Sequence, residues 1–301
     1  MQTLLYYGLF LAIMKIRYEN VSYLTRLSNI LVKSGKNMPQ KILTIAGSDI
    51  LSGGGLQADL ATFNEYGLFG LSVITSIVTV TATDFIVHPI ELSLVEQQLA
   101  SMRMMDDLAG IKVGLVPNVA MMRVIGNFLA DFAGKIPIVI DPVMVFKEAN
   151  SAQLTAIADG IATYLLPYAT ITTPNLTEAE ILTKQSIQRV SDLQRAGRVL
   201  QATVMNYVIK GGQRLPGEQA ADLVGVGDQV ELITASKLTA PFNNGAGCTF
   251  ASAIASNLVL QQDMMSAVLD AKAFVHIGIE HGVTLSADFG NVWQAARRFS
   301  H

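Results

Sequence analysis

The sequence predicts an α/β fold built on a largely parallel sheet. Two observations carry this. Short β-branched runs alternate with segments of helical apolar spacing along most of the chain. Some runs are continuously apolar, as strands covered on both faces should be. No repeat of fixed period, low-complexity tract or interdomain linker breaks the alternation, so one domain is expected from Met38 to the end.

In chain order, "KILTIAGSD" (41–49) reads as a buried strand ending in a glycine turn. "LQADLATFNEYG" (56–67) has helical spacing and closes on Gly67. "LSVITSIVTVTA" (71–82) is a continuous β-branched strand. "LSLVEQQLASMRMMDDL" (92–108) is expected to be helical throughout, with Ser93 placed to cap it. A short strand (109–116), a helix (118–132) and a strand ending at Asp-Pro (135–144) follow. Then come a helix (151–167), a strand (169–175) and helices over 176–183 and 190–202. "VMNYVIKGG" (204–212) is a strand. Residues 219–235 read as a hairpin turning near Gly227-Asp228, and two helices run from the single cysteine to about His281.

Composition narrows the classes. Half of the 301 residues are apolar, enough for a large core, and only 15% are charged, against about 25% in typical domains. So little surface charge implies a covered face, most simply a homodimer. A net charge of −3 leaves no basic footprint for nucleic acid. One cysteine excludes an internal disulfide and a cysteine-based zinc site, and fits a reducing, cytoplasmic compartment. Residues 1–37 differ from the rest. "LLYYGLFLAIM" is too short for the roughly 20 residues that span a bilayer, and Lys15 and Arg17 follow it where a signal peptide wants charge before. The stretch reads as a poorly ordered extension or an upstream start read in frame; a membrane-surface anchor is the alternative.

In an open α/β sheet, ligands bind beyond the carboxyl ends of the strands. There lie Gly47 to Gly55, Asp141, Asn175, Gly211 and the turn "NNGAGCTF". Small residues at that helix start let backbone N–H groups converge on an anion, and the same field lowers a thiol's pKa. Cys248 therefore reads either as a base beside an anion site or as a small packing residue. "GSDILSGGG" is a ligand cradle or a flexible turn; it is neither a P-loop nor G-x-G-x-x-G. "NLTE" puts Asn175 and Glu178 on a first helical turn, either to organise water around Mg²⁺ or only to cap the helix. The four histidines show no metal-ligand spacing, and no G-x-S-x-G elbow is present.

Five segments, "LTIAGSD…GGGLQADLATF", "DPVM", "TPNLTEAE", "VIKGG" and "NGAGCTF", together resemble the ribokinase superfamily. The likeness covers residues 41 to about 281, in the branch of hydroxymethylpyrimidine (phosphate) kinases and related pyridoxine kinases. It implies a ribokinase-like three-layer sandwich with a central, mostly parallel sheet. It also implies ATP, Mg²⁺ and room for a monovalent cation such as K⁺. Carried over residue by residue, it makes Gly245, Ala246 and Gly247 an anion hole and Cys248 the base for a hydroxymethyl group. It places Asp141 and Glu178 at the metal, and Asn175, Lys210 and Gly212 at the nucleotide. Gly47, Asp59, Val80, Leu115 and Val143 fall at the substrate, and Lys147 in a loop near the site.

Three departures from the family pattern stand out. Val80 occupies a position where the branch's pyrimidine kinases carry glutamine, which leans towards vitamin B6. Asn244 stands where histidine is usual. The tail "DFGNVWQAARRF" lacks the usual Gly-Pro ending. The resemblance therefore implies a kinase of the 5-hydroxymethyl group of pyridoxine, pyridoxal and pyridoxamine. Its alternative is the same chemistry on hydroxymethylpyrimidine or its phosphate in thiamine synthesis, or both activities. A non-catalytic vitamin- or nucleotide-binding protein on this fold is the remote alternative.

Overall fold

A computed structural model describes residues 38–81, 84–144, 151–239, 242–286 and 289–299. Gln40–His301 form one compact unit. Its centre is a nine-stranded sheet in the order β3-β2-β1-β4-β5-β6-β7-β8-β9. The strands are β1 (Lys41–Asp49), β2 (Phe69–Val80), β3 (Phe85–Pro89), β4 (Leu108–Val113), β5 (Ile138–Ile140), β6 (Ile171–Thr172), β7 (Asn206–Lys210), β8 (Gln219–Val226) and β9 (Gln229–Ser236). From β2 to β7 the neighbours run parallel. Strand β3 and the hairpin β8–β9 pair antiparallel at the two edges.

Alternation along the strands feeds two layers of helices. On β1, Leu43 and Ile45 join a core with Val95, Met121, Ile125, Phe128 and Ile161. These last come from α2 (Leu92–Met102), α3 (Val119–Leu129) and α4 (Ser151–Tyr164). Ile42 faces the other way, into a core with Phe63, Phe250, Ile254, Val268 and Phe274. Those side chains belong to α1 (Gly55–Glu65), α7 (Ala246–Val259) and α8 (Met264–Glu280). A third cluster joins α5 (Leu176–Thr183) and α6 (Val190–Gln201) to Tyr207 and Leu223. This is the expected sandwich of helices, sheet and helices.

The structure corrects several boundaries. Ser93 does not cap α2; Glu91 is the N-cap, without a side-chain cap bond. The helix stops at Met102, because Leu108 is required as the first β4 residue opposite Lys41. Strand β3 and the small sheet of β10 (Val283–Ser286) and β11 (Phe289–Asn291) were not legible in the sequence. No helix among the described residues is long and apolar enough to cross a membrane.

Candidate active site

Three segments meet at the carboxyl ends of β1, β5 and β7. The glycine-rich loop after β1 is shaped by Asp49, whose carboxylate accepts from the amides of Leu51 (2.9 Å) and Gly54 (2.8 Å). Gln57 accepts from the Asp49 amide and donates to Ser48 Oγ. These bonds hold the loop in one shape. Gly55 has φ +58° and lies against the Gly47 carbonyl, where a Cβ would come within 2.2 Å. Gly245, the N-cap of α7, has φ +84° and the Gly53 carbonyl 1.5 Å from where its Cβ would stand. Only glycine meets both conditions.

Helix α7 starts against that loop. The Ala246 amide turns back to the Asn243 carbonyl (3.1 Å). Of the expected anion hole of Gly245, Ala246 and Gly247, the Ala246 amide is therefore taken, while the Gly247 amide, with that of Cys248 beside it, has no intrahelical acceptor. A Cβ on Gly247 would stand 3.2 Å from Lys210 Nζ and 3.9 Å from Asp141 Oδ2. Lys210 donates to Asp141 Oδ1 (3.1 Å), as does the Thr173 hydroxyl (2.9 Å). This leaves Asp141 Oδ2 on the side of the glycine turn. Asn175 and Glu178 form a reciprocal capping box at the start of α5. The pair therefore does cap the helix, with Glu178 Oε2 accepting from the Asn175 amide. Burial pushes Glu178 up to about 7; Lys210 opposes that shift and Asp141 adds to it. Gly212 follows β7 with φ +53° and open space around it.

Cys248 is half-buried, and a Cβ on Gly54 would stand 3.5 Å from its Sγ. The expected lowering of its pKa does not occur. Burial pushes the thiol up to about 11, against the pull of Lys112 and the Gly55 N–H; Asp59 and Asp141 push the same way as burial. Asp59, expected at the substrate, lies deeper. It is fully buried below the cleft, and its carboxylate accepts from Thr44 Oγ1 (2.6 Å), Lys112 Nζ (2.9 Å to each oxygen) and Ser252 Oγ (2.7 Å). It holds Lys112 and α7 in place. Ser252 lies four residues after Cys248 on the same helix face. Lys112 was missed in the sequence, although a lysine inside the apolar "GIKVG" of a buried strand signals a buried acid partner.

Leu115 and Val143, expected at the substrate, share one cavity. It measures about 410 Å³, with Val87, Pro89, Val116 and Ile157 among its other walls. Leu115 reaches within 3.3 Å of where a Cβ on Gly47 would stand, which joins this cavity to the glycine-rich loop. Val80 pairs with Phe85 across the β2–β3 hairpin, on the face that carries Val87 and Pro89. It is 38% exposed and lies beyond the cavity wall. Lys147 falls outside the described residues.

A family model described as phosphomethylpyrimidine kinase matches residues 49–293. The chain belongs to that family. It is 33% identical to a pyridoxine kinase of Bacillus subtilis over 86% of this chain and 97% of that one. It is 34% identical to a hydroxymethylpyrimidine/phosphomethylpyrimidine kinase of Haemophilus influenzae over 86% and 98%. Its fold matches the ADP complex of Bacillus subtilis pyridoxal kinase with a TM-score of 0.82, at 32% identity, over 87% of this chain and all of that one. All five sequence segments that carried the resemblance fall in or beside the family match.

Proposed function

We propose that this chain is an ATP- and Mg²⁺-dependent kinase of the 5-hydroxymethyl group of pyridoxine, pyridoxal and pyridoxamine. The observation that carries the choice of acceptor is the apolar cavity running from Val87 and Val143 past Leu115 to Gly47. Its entrance hairpin ends in Val80, which offers no amide to an aminopyrimidine.

The residues divide the work as follows. The Gly247 and Cys248 amides and Lys210 hold the transferred phosphoryl group by charge and position, the main source of rate in such reactions. Cys248 takes the hydroxyl proton; Lys112 and the Gly55 N–H favour the thiolate form it needs. Among the described residues no three metal-binding side chains cluster. Mg²⁺ needs no such cage, because it is held through water by one or two carboxylates plus phosphates. Asp141 and the cation-seeking Glu178 fit that requirement. When bound, Mg²⁺ neutralises charge on the phosphates. The low charge content and the exposed Ile77 and Ile86 of the edge hairpin support a homodimer. A cytoplasmic location fits the single free thiol.

The pyrimidine reading stays the second one, because relatives of both names are equally similar. ATP consumption with pyridoxine, pyridoxal and hydroxymethylpyrimidine offered separately decides it. The expected result is higher kcat/KM on the vitamin B6 forms, with Val80→Gln moving the ratio towards the pyrimidine. Equal or better wild-type efficiency on the pyrimidine overturns the acceptor and leaves the kinase standing.

A further inference from the structure

We propose that Asn291, in the C-terminal tail, acts through Asn244 as a positioning residue that locks the anion turn to the glycine-rich loop. Two side-chain amides form a chain. Asn244 Nδ2 donates to Asn291 Oδ1 (2.8 Å), and Asn291 Nδ2 donates to the Leu51 carbonyl (2.7 Å). The backbone repeats the connection. Asn244 N donates to the Gly290 carbonyl and Val292 N to the Asn244 carbonyl, as a parallel bridge. The loop lies flat on this pair: a Cβ on Gly53 would stand 1.8 Å from Asn244 Nδ2 and 2.6 Å from Asn291 Oδ1. Asn244 directly precedes Gly245, and Leu51 lies in the loop whose Gly55 N–H reaches Cys248. The two ends of the chemistry are therefore held in register by a third segment.

The tail is itself well anchored. Gln294 donates to Thr249 Oγ1 on α7 (3.0 Å) and Trp293 N to the Gly278 carbonyl on α8 (3.0 Å). Arg297 pairs with Asp270 and Arg298 with Glu65, both at 2.6 Å. Asn291 thus transmits a fixed frame and not a loose end. Two of the sequence's departures from its family, Asn244 and the tail, are the two partners of one contact. A substitution at either without the other would lose it.

The kinetic half of the proposal rests on the kinase reading; the exchange half does not. The test compares full-length Asn291→Ala, Asn291→Asp, Asn244→Ala and Asn244→His. Hydrogen exchange is followed at the amides of 51–55 and 244–248, and steady-state kinetics on the best acceptor. In Asn291→Ala, exchange should quicken in both segments together, although they lie far apart in sequence. A misplacement of about 1 Å costs up to ~10²-fold in rate, so kcat should fall ~10- to 100-fold with the acceptor KM within ~3-fold. Asn244→His keeps a donor for Asn291 Oδ1 and should retain more kcat than Asn244→Ala. Asn291→Asp keeps the acceptor for Asn244 but turns a carboxylate oxygen on the Leu51 carbonyl, so it should loosen 51–55 more than 244–248. Unchanged exchange at 51–55 in Asn291→Ala overturns the lock. So does a parallel loss of kcat and thermal stability in all four variants, with histidine no better than alanine. If wild type turns over no acceptor while exchange still couples, the kinase reading fails and the lock stands.

Discussion

Lys112→Met removes a charge that nothing else in the fold replaces. Lys112 and Asp59 are both fully buried, joined by contacts of 2.9 Å to each carboxylate oxygen. Without the lysine, Asp59 keeps only the Thr44 and Ser252 hydroxyls as side-chain donors. Breaking a buried pair from one side costs about 3–5 kcal/mol. At roughly 2–4 °C per kcal/mol for a domain of this size, the melting midpoint should drop by about 6–20 °C. Burial is the largest influence and opposes the lysine's charge, but Asp59, Cys248 and Asp141 together outweigh it and raise the pKa. The sign follows: the contribution is complete below the unfolded value of about 10.4 and is lost only as pH climbs through the folded one. The drop should therefore be flat from about pH 6 to 9. The pair also bears on the thiol, since Lys112 favours the thiolate and Asp59 opposes it. Because the chain has one cysteine, the pH dependence of thiol alkylation reports it alone. Lys112→Met should raise its titration and Asp59→Asn lower it. A midpoint within about 3 °C of wild type, or thiol shifts of the same sign in both variants, would refute the reasoning.

Cys248→Ala should lower turnover ~10²- to 10⁴-fold with ATP binding kept, read by single-turnover kinetics and nucleotide titration; Cys248→Asp should keep some activity. Alkylation of Cys248 in the wild type should be slow near neutral pH and rise with pH until the thiol ionises at about 11. Glu178 has a folded pKa raised from 4.5 to about 7. The folded state therefore binds the extra proton, and stability of the ligand-free protein should fall as pH rises through that window. Glu178→Gln should flatten that slope in thermal melts and raise the Mg²⁺ concentration needed for turnover.

The sheet was legible because each parallel strand is an apolar run that no amphipathic surface strand would carry. The cleft was legible because glycines and acids cluster at strand ends. What stayed hidden depends on pairs remote in sequence. Asp59 sits in a helix segment whose neighbours look amphipathic, and its role is set by Lys112, 53 residues on. The tail looks like polar coil until Asn291 meets Asn244, 47 residues before it. The thiol's pKa was misjudged for a related reason. A helix start lowers it, but the same packing that brings Gly54 against the sulfur removes the water that would solvate a thiolate.

Ser76 isolates one remaining question about the acceptor cavity. Among the described residues, its Oγ is the one buried side-chain polar atom without a hydrogen-bond partner. It stands 2.6 Å from where a Cβ on Gly47 would be, beside Leu115. An unsatisfied buried hydroxyl costs about 1–3 kcal/mol, so Ser76→Ala should stabilise the ligand-free protein. At about 2–4 °C per kcal/mol, its melting midpoint should rise by roughly 2–12 °C. Alanine adds no atom and leaves Gly47 its space, so the cavity should keep its shape and the acceptor KM its value. Gly47→Ala should do the reverse, pressing on Ser76 and Leu115 and raising the acceptor KM. A Ser76→Ala protein no more stable than wild type, but with a raised acceptor KM, would show that the hydroxyl is held for the substrate.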